Sequence, residues 1–537
     1  MDRTQPVLNM LALFLAPIAL YIIGYGIRRL YFHRISHIPG PRLAALTYLY
    51  QAYYDLFPYQ DRWLFHQIEL HARYGPIVRV GPDEVHISDP EFYTELSGED
   101  KTKRRNKTRP WYWFVDAGDV VAASSFATLD AGHHGMRRRA LQGCFNAAMV
   151  RDLESKIVGH IQQRTRCRLL KDTEDQKTTN LLPLMSALTL DVITEYSFGK
   201  GTDIIDTPEL GQTVRSNIER GIRIHPFARV LPTLTIAMMK LVDLAAPHSS
   251  IARKLNSFDT MVHDLTIPEY AKAMHKSERA LTAEDKNGKE SVASALAQSD
   301  LLPPSEKTLQ RIVAEVGGII GGGAETTART LAIGLYYILA DSDIHSNILA
   351  ELRTLMPRAD SALPTVAELE RLPYLTASIH KATRLAHGVA GRLVRTSPEA
   401  DILYEPSASM RTGRNTGKPC IIPRGTTFSM SHYIQHTDTY KFPEPHLFKP
   451  ERYLGESAQD TLKYLVPSGR GLRACLRQNL AWSMMYLCFA ALLGGTNIRL
   501  AGTTERDVTI VQEIFVGLLP GDSMGIRVAA QRLEDHV

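Results

Sequence analysis

The chain has 537 residues, 44% hydrophobic and 22% charged, with a formal net charge of +5 from 62 basic and 57 acidic residues. This is the composition of an ordinary globular protein with ample core, and the small charge surplus, with no basic tract interleaved with aromatics, argues against a nucleic-acid binder. Five scattered cysteines (Cys144, Cys167, Cys420, Cys475, Cys488) show neither zinc spacing nor a disulfide framework, which points to a reducing compartment.

From Val7 to Ile27 there is no charged residue, a span long enough to cross a bilayer as a helix. Arg28, Arg29 and Arg34 follow, which predicts a single-pass anchor with the bulk of the chain in the cytosol. In that orientation the sequon Asn106-Lys107-Thr108 never meets a lumen. Ile38-Pro39-Gly40-Pro41 reads as a stiff hinge after the anchor, giving an anchor over 1–30 and one globular domain over 31–537. Ile77–Val80 and Val85–Ser88, around Gly81-Pro82-Asp83-Glu84, read as a hairpin. A basic loop, Lys101–Arg109, leads to Trp111, Tyr112 and Trp113, which could line a pocket or fill a core. Asp130–Val150 is expected to be a helix with His134 and Arg138 on one face, a pair that could equally be a solvated basic face. Lys276–Ser299 reads as a polar surface loop.

Pro304–Ala340 is the longest periodic segment, with Ser305 as its expected cap. Gly317, Gly318, Gly321, Gly322 and Gly323 crowd its middle, each costing roughly 1 kcal/mol relative to alanine. A helix tolerates this where something lies close against it or where its ladder opens. Glu325, Thr326 and Thr327 follow, and an acid beside a hydroxyl there could pass protons into a buried site. A glycine-kinked core helix with an incidental acid fits as well. Leu372–Leu385 reads as a helix carrying Arg384, Gly391–Arg395 as a short strand, Phe442–Tyr453 as ordered coil, and Val508–Leu518 with Met524–Val528 as a closing hairpin.

Val466–Trp482 holds S-G-R-G and then Cys475, just before the apolar, helix-capable segment Leu480–Leu493. A thiolate there is favoured by the helix dipole and by Arg470, Arg473 and Arg477. That suits a metal-bound thiolate under a haem iron, although a buried cysteine in a loop-to-helix junction remains open.

Taken in order, the P-G-P hinge, G-G-A-E-T-T (Gly322–Thr327), L-P-Y-L-T-A…R (Leu372–Arg384), F-K-P-E-R-Y (Phe448–Tyr453) and G-R-G-L-R-A-C (Gly469–Cys475) resemble a microsomal cytochrome P-450, a haem-thiolate monooxygenase. Y-G-P-I-V-R-V-G-P from Tyr74 is similar to the fungal secondary-metabolism branch, including the trichothecene-pathway oxygenases. The resemblance implies a mainly α (α+β) fold, a helical haem domain with small β-sheets behind an N-terminal transmembrane helix. It implies haem b with Cys475 as axial ligand, with Arg473, Arg395, His134 and Arg138 at the propionates. Glu325 and Thr326 become the acid–alcohol pair that delivers protons. Trp111–Val121, Ala314–Gly322, Val389–Leu393 and Phe515–Val516 line an apolar substrate cavity. The implied partners are NADPH–cytochrome P-450 reductase, cytochrome b5 and a hydrophobic terpenoid or polyketide-type metabolite, at the endoplasmic reticulum membrane.

Three positions depart from the family. Lys381 stands where a glutamate pairs with Arg384 and, through it, Arg452. Each like-charge contact at about 4 Å costs on the order of 4 kcal/mol at an effective dielectric of ~20. The lysine is therefore expected to be neutral, or an acid such as Glu451 to turn in. Ser468 replaces an aromatic and Arg477 a glycine beside the cysteine. These changes keep two alternatives in view: a relative impaired in holding haem, and a reductase-independent haem-thiolate rearrangement enzyme.

Overall fold

The computed structural model describes residues 4–98, 103–112, 115, 121–199, 201–207, 216, 223–245, 257–278, 291–410, 417–456 and 458–533. Helices dominate and short strands gather into small sheets, as expected.

The uncharged N-terminal span lies within one 28-residue helix, α1 (Thr4–Tyr31). Among the described residues no helix is long and apolar enough to cross a membrane. The far end of α1 is tied down, because Arg29 donates to both carboxylate oxygens of Asp83 at 3.0 Å. Arg79 in turn donates to the Arg29 carbonyl at 3.0 Å. The Pro39–Pro41 segment is no free hinge. The Arg79 amide donates to the Pro39 carbonyl at 2.7 Å, and a Cβ on Gly40 would strike the Arg79 carbonyl.

Buried β-branched residues build the hairpin of β1 (Ile77–Gly81) and β2 (Glu84–Ile87). With β3 (Arg392–Thr396) and β4 (Thr427–Ser431) it forms a sheet ordered β1–β2–β4–β3, in which only β2 and β4 run parallel. Asn106 pairs with Thr396 beside it and accepts from the Ala131 amide at 2.9 Å, so the sequon asparagine serves the fold.

Asp130 caps α2 (Ala131–Gln142), accepting from the His133 amide at 2.8 Å. The helix does not run on to Val150. A 3-10 turn at Gly143–Phe145 ends it, and Asn146 caps a new helix, Ala147–Gly159, because its side chain takes the Met149 amide. The almost wholly buried α3 (Leu181–Phe198) packs on the 32-residue α4 (Leu309–Ala340). The cap of α4 is Thr308, not Ser305, which lies in the preceding 3-10 turn. The segment expected as a polar loop contains the end of a helix reaching Glu278 and a second, Val292–Gln298, capped by Ser291; residues 279–290 lie outside the described residues. The closing hairpin is also different. Gln512–Glu513 pairs with Gly517–Leu518, while Arg527–Arg532 pairs with Thr496–Leu500 and Thr179–Asn180, where Val528 and Ala530 point into the core.

α4 stays α-helical through its glycines, so close approach and not an opened ladder accounts for them. The meeting with neighbouring helices is further along. A Cβ on Gly334 would lie 2.7 Å from Phe489 Cζ on α6 (Gln478–Gly495) and 2.8 Å from the Ala382 Cβ on α5 (Pro373–Ala386). Near the start of α4, Glu306 accepts from Arg137, His133 and Arg311. Those donors pull its carboxyl down to about 2 against the cost of burial.

Two outcomes follow from this packing. Gly334→Ala should lower stability by about 1–3 kcal/mol, because overpacking outweighs the gain in helix propensity, read as a lowered thermal midpoint. The Glu306 contribution is fully present above its ordinary value of 4.5 and disappears as pH falls toward about 2, on the order of 3 kcal/mol. Acid unfolding of Glu306→Gln should therefore depend less steeply on pH in that window than unfolding of the native chain.

Candidate active site

The cysteine loop is shaped by two left-handed glycines, Gly469 (φ 65°) and Gly471 (φ 68°), on either side of Arg470. A 3-10 turn, Gly471–Arg473, follows, and the Cys475 amide donates to the Ser468 carbonyl at 2.7 Å. Cys475 is exposed, and α6 begins three residues later behind Arg477. Ser468 thus contributes its carbonyl to the loop, whatever its side chain leaves open.

Four of the expected residues converge beside that loop. Arg138 of α2 donates to the Ala474 carbonyl at 2.6 Å, and burial lowers its pKa against the opposing charge of Cys475. Arg473 donates to the carbonyls of Thr128 and Leu129 at 2.9 and 2.8 Å. Arg395 of β3 is buried and donates to the Val394 carbonyl at 2.8 Å. His134 is buried with Nδ1 unbonded, and its pKa is pushed down to about 2 by burial and then by Arg473, Lys107, Arg138 and Arg395. Lys107 is the member that sequence reading missed. It lay in a run of basic residues, and only its burial under the charges of Arg473 and Arg395, with its pKa driven well down, sets it apart. The residues around the neutral His134 are all basic, while the described acids Glu306 and Glu315 are engaged elsewhere. Glu306 is held as described, and Glu315 takes Arg311 at 2.5 Å and the Ser125 amide at 2.9 Å.

Arg477 joins the loop to α4. Its guanidinium is buried, which lowers its pKa against the opposing charge of Cys475, and it lies 2.5 and 2.7 Å from where Cβ atoms on Gly322 and Gly323 would stand. The glycines are therefore needed for this approach. One turn on, Thr326 donates to the Gly322 carbonyl at 3.1 Å. Glu325 turns toward α3, accepting from Ser186 at 3.2 Å and facing Arg329 at 3.7 Å. The acid and the alcohol thus hold different partners. Arg329 was legible from its four-residue spacing, whereas Ser186 depends on helix packing.

Of the expected cavity lining, Trp111 fills core, with Arg229 over its ring at 4.3 Å and Arg392 at 4.8 Å. Phe515 meets Phe126 edge to face at 6.3 Å. Residues 113–114 and 116–120 lie outside the described residues.

Behind the loop, Arg384 donates to the carbonyls of His436 and Pro445 and lies 4.8 Å from the Phe442 ring centre. The His436 ring accepts from the Val466 amide at 3.0 Å, linking this region to the cysteine loop. Lys381 is fully buried, and its pKa is pushed down to about 5 by burial and by Arg384, Arg452 and Lys449, so the amine is neutral at pH 7. Glu451 does not turn in; it accepts from the Tyr374 hydroxyl at 2.6 Å.

With this geometry in hand, the comparisons decide the class. The cytochrome P-450 family profile matches residues 53–510. A cytochrome P-450 monooxygenase of Acremonium sp. is 41% identical over 512 residues, 95% of each chain. One of Cochliobolus heterostrophus is 30% identical over 528 residues, covering 95% of this chain and 94% of its own. The TRI4 monooxygenase of Fusarium sporotrichioides is 30% identical over 520 residues, covering 95% and 93%. The chain belongs to the cytochrome P-450 family, whose members are haem-thiolate enzymes with a cysteine on the iron. Its relatives are fungal monooxygenases, the trichothecene-pathway type among them.

The residues fit that cofactor. A thiolate stands exposed on a tight loop, and a buried cationic cluster beside it suits two carboxylates. A group between Cys475 and α4 must share the gap with the Arg477 side chain, which has the rotatable bonds to withdraw. Lys381→Glu should raise the haem bound per chain by giving Arg384 a carboxylate, measured by pyridine haemochrome against protein concentration; equal or lower occupancy would contradict this account.

Proposed function

We propose that this monooxygenase inserts one atom of O2 into a C–H or C=C bond of a hydrophobic terpenoid or polyketide-type metabolite. Two electrons come from NADPH through cytochrome P-450 reductase, with cytochrome b5 as an auxiliary donor, and the second oxygen atom leaves as water with two protons. The observation that carries this reading is the exposed Cys475 thiol flanked by the cluster of His134, Lys107, Arg138, Arg395 and Arg473. When bound, haem supplies a thiolate-ligated iron suited to reducing and splitting dioxygen.

The chain's own residues do the rest. Cys475 presents its sulfur at the loop, and the cationic cluster neutralises the cofactor's carboxylates. Glu325 sits between Ser186 and Arg329 on the α3 side, placed to take up a proton, and the Thr326 hydroxyl one residue on is placed to pass it inward. The apolar face of Ala314–Gly322, with Val389–Leu393 and Phe515–Val516, excludes water and orients the substrate. For localisation, the reading is attachment to the endoplasmic reticulum membrane through α1, with the remaining chain cytosolic. It is supported by the uncharged span, by exposed Leu20, Tyr21 and Ile22, and by Arg28 and Arg29 at its end.

A second reading, a relative that holds haem poorly, is favoured by Arg477 in the gap beside Cys475 and by the missing carboxylate at Lys381. The reduced, CO-bound difference spectrum separates the two. The native protein should show a thiolate-type Soret band that Cys475→Ala abolishes, with turnover requiring both NADPH and reductase. A folded native protein without that band supports the second reading, and a band that survives in Cys475→Ala removes the ligand assignment.

A further inference from the structure

Spacing on α5 puts Ser378, Lys381 and Arg384 on one helix face, three residues apart each time. All three are fully buried, and that helix packs on the 3-10 turn Pro450–Tyr453, which brings Arg452 and the Tyr453 hydroxyl. Their charges are coupled accordingly. Lys381 feels Arg384 and Arg452, and Tyr453 feels the same two arginines.

What distinguishes this cluster is that its donors outnumber its acceptors. Ser378 Oγ, Lys381 Nζ, Arg384 Nε and Arg452 Nε are buried with no hydrogen-bond partner among the described residues. Arg384 spends its two terminal nitrogens on neutral carbonyls, and among the described residues no carboxylate reaches it. The acids nearby are committed at the surface, Glu451 to Tyr374 and Glu444 to Lys449. A neutral lysine removes one positive charge but supplies no negative one, so the buried guanidinium stays uncompensated, which is costly. Amine, guanidinium and hydroxyl donors buried on neighbouring turns without partners are the recognition chemistry of a small anion, whose charge would also favour the protonated lysine.

We propose that the interior cluster of Ser378, Lys381, Arg384 and Arg452 binds one small monovalent anion, chloride or a single carboxylate of formate size, which takes the place of a side-chain carboxylate and stiffens the segment behind the cysteine loop. Arg384 and the anion then act together on His436 and, through the Val466 amide, on that loop. The site is independent of the monooxygenase reading, since it lies in the core and involves no haem ligand.

The test is thermal unfolding of the full-length protein in detergent at constant ionic strength, with sodium gluconate replaced stepwise by sodium chloride or, in a separate arm, sodium formate. The midpoint should rise and saturate in at least one arm, identifying halide or carboxylate as the occupant, and the rate of haem loss to an external acceptor should fall in parallel. Lys381→Glu carries its own carboxylate and should show no saturable response. Lys381→Met keeps the volume without the donor and should need at least tenfold more anion for the same rise. A native midpoint indifferent to chloride and formate, or a saturable response retained in both variants, overturns the proposal.

Discussion

Clustered basic side chains packed into the interior are the constraint on which the functional half of this molecule depends. The pattern occurs twice among the described residues. Beside Cys475, Lys107, Arg138, Arg395 and Arg473 crowd around a neutral His134. On the far side of the same loop, Lys381 and Arg384 are sealed in the core beside Arg452. Interiors avoid such arrangements unless the cations are paired or neutralised, so each cluster describes a partner by its complement. The first matches the two carboxylates of a haem in a family that carries one. The second has the same logic on a smaller scale, with room in its donor count for a single negative charge.

Between these clusters runs α4, and its glycines explain how loop and helix come so close. At Gly322 and Gly323 the approaching group is a flexible side chain, Arg477; at Gly334 it is a phenyl ring and the Ala382 methyl, neither of which can swing away. The two contacts differ in kind. A side chain can withdraw, so the gap at the cysteine loop can adapt to what it holds, while the Gly334 contact fixes α5 and α6 against α4 and so fixes the platform behind it.

Much of this was legible in the sequence. The hairpin at 77–87, the helices now seen at Leu309–Ala340 and Pro373–Ala386, and the cysteine loop all announce themselves through local pattern, and Arg138, Arg395, Arg473 and His134, expected from the resemblance, gather beside that loop. What stayed hidden was non-local. Asn146 breaks a helix that periodicity carried on to Val150, because a capping side chain competes with the helix backbone. The last strand pairs with Thr496–Leu500 in preference to its neighbour, a choice made by which face meets the core. Lys107 looks like any surface lysine in a basic run until burial singles it out. For Glu325 and Thr326, the sequence showed their adjacency but not their partners: Ser186 and Arg329 for the acid, the Gly322 carbonyl for the alcohol.

The segment between α1 and the first strand has a mechanical meaning. A polypeptide joint lets a body swing on its tether, whereas this one is riveted: Arg29 to Asp83, Arg79 to the Arg29 carbonyl, and Gly40 pressed on the Arg79 backbone. The axis of α1 therefore has a set bearing relative to the β1–β2 hairpin, and any surface that α1 rests on meets the enzyme at one inclination. Damage to Gly40 or Asp83 would then show itself as a change in the bearing of α1 against the hairpin, with the helix itself left intact.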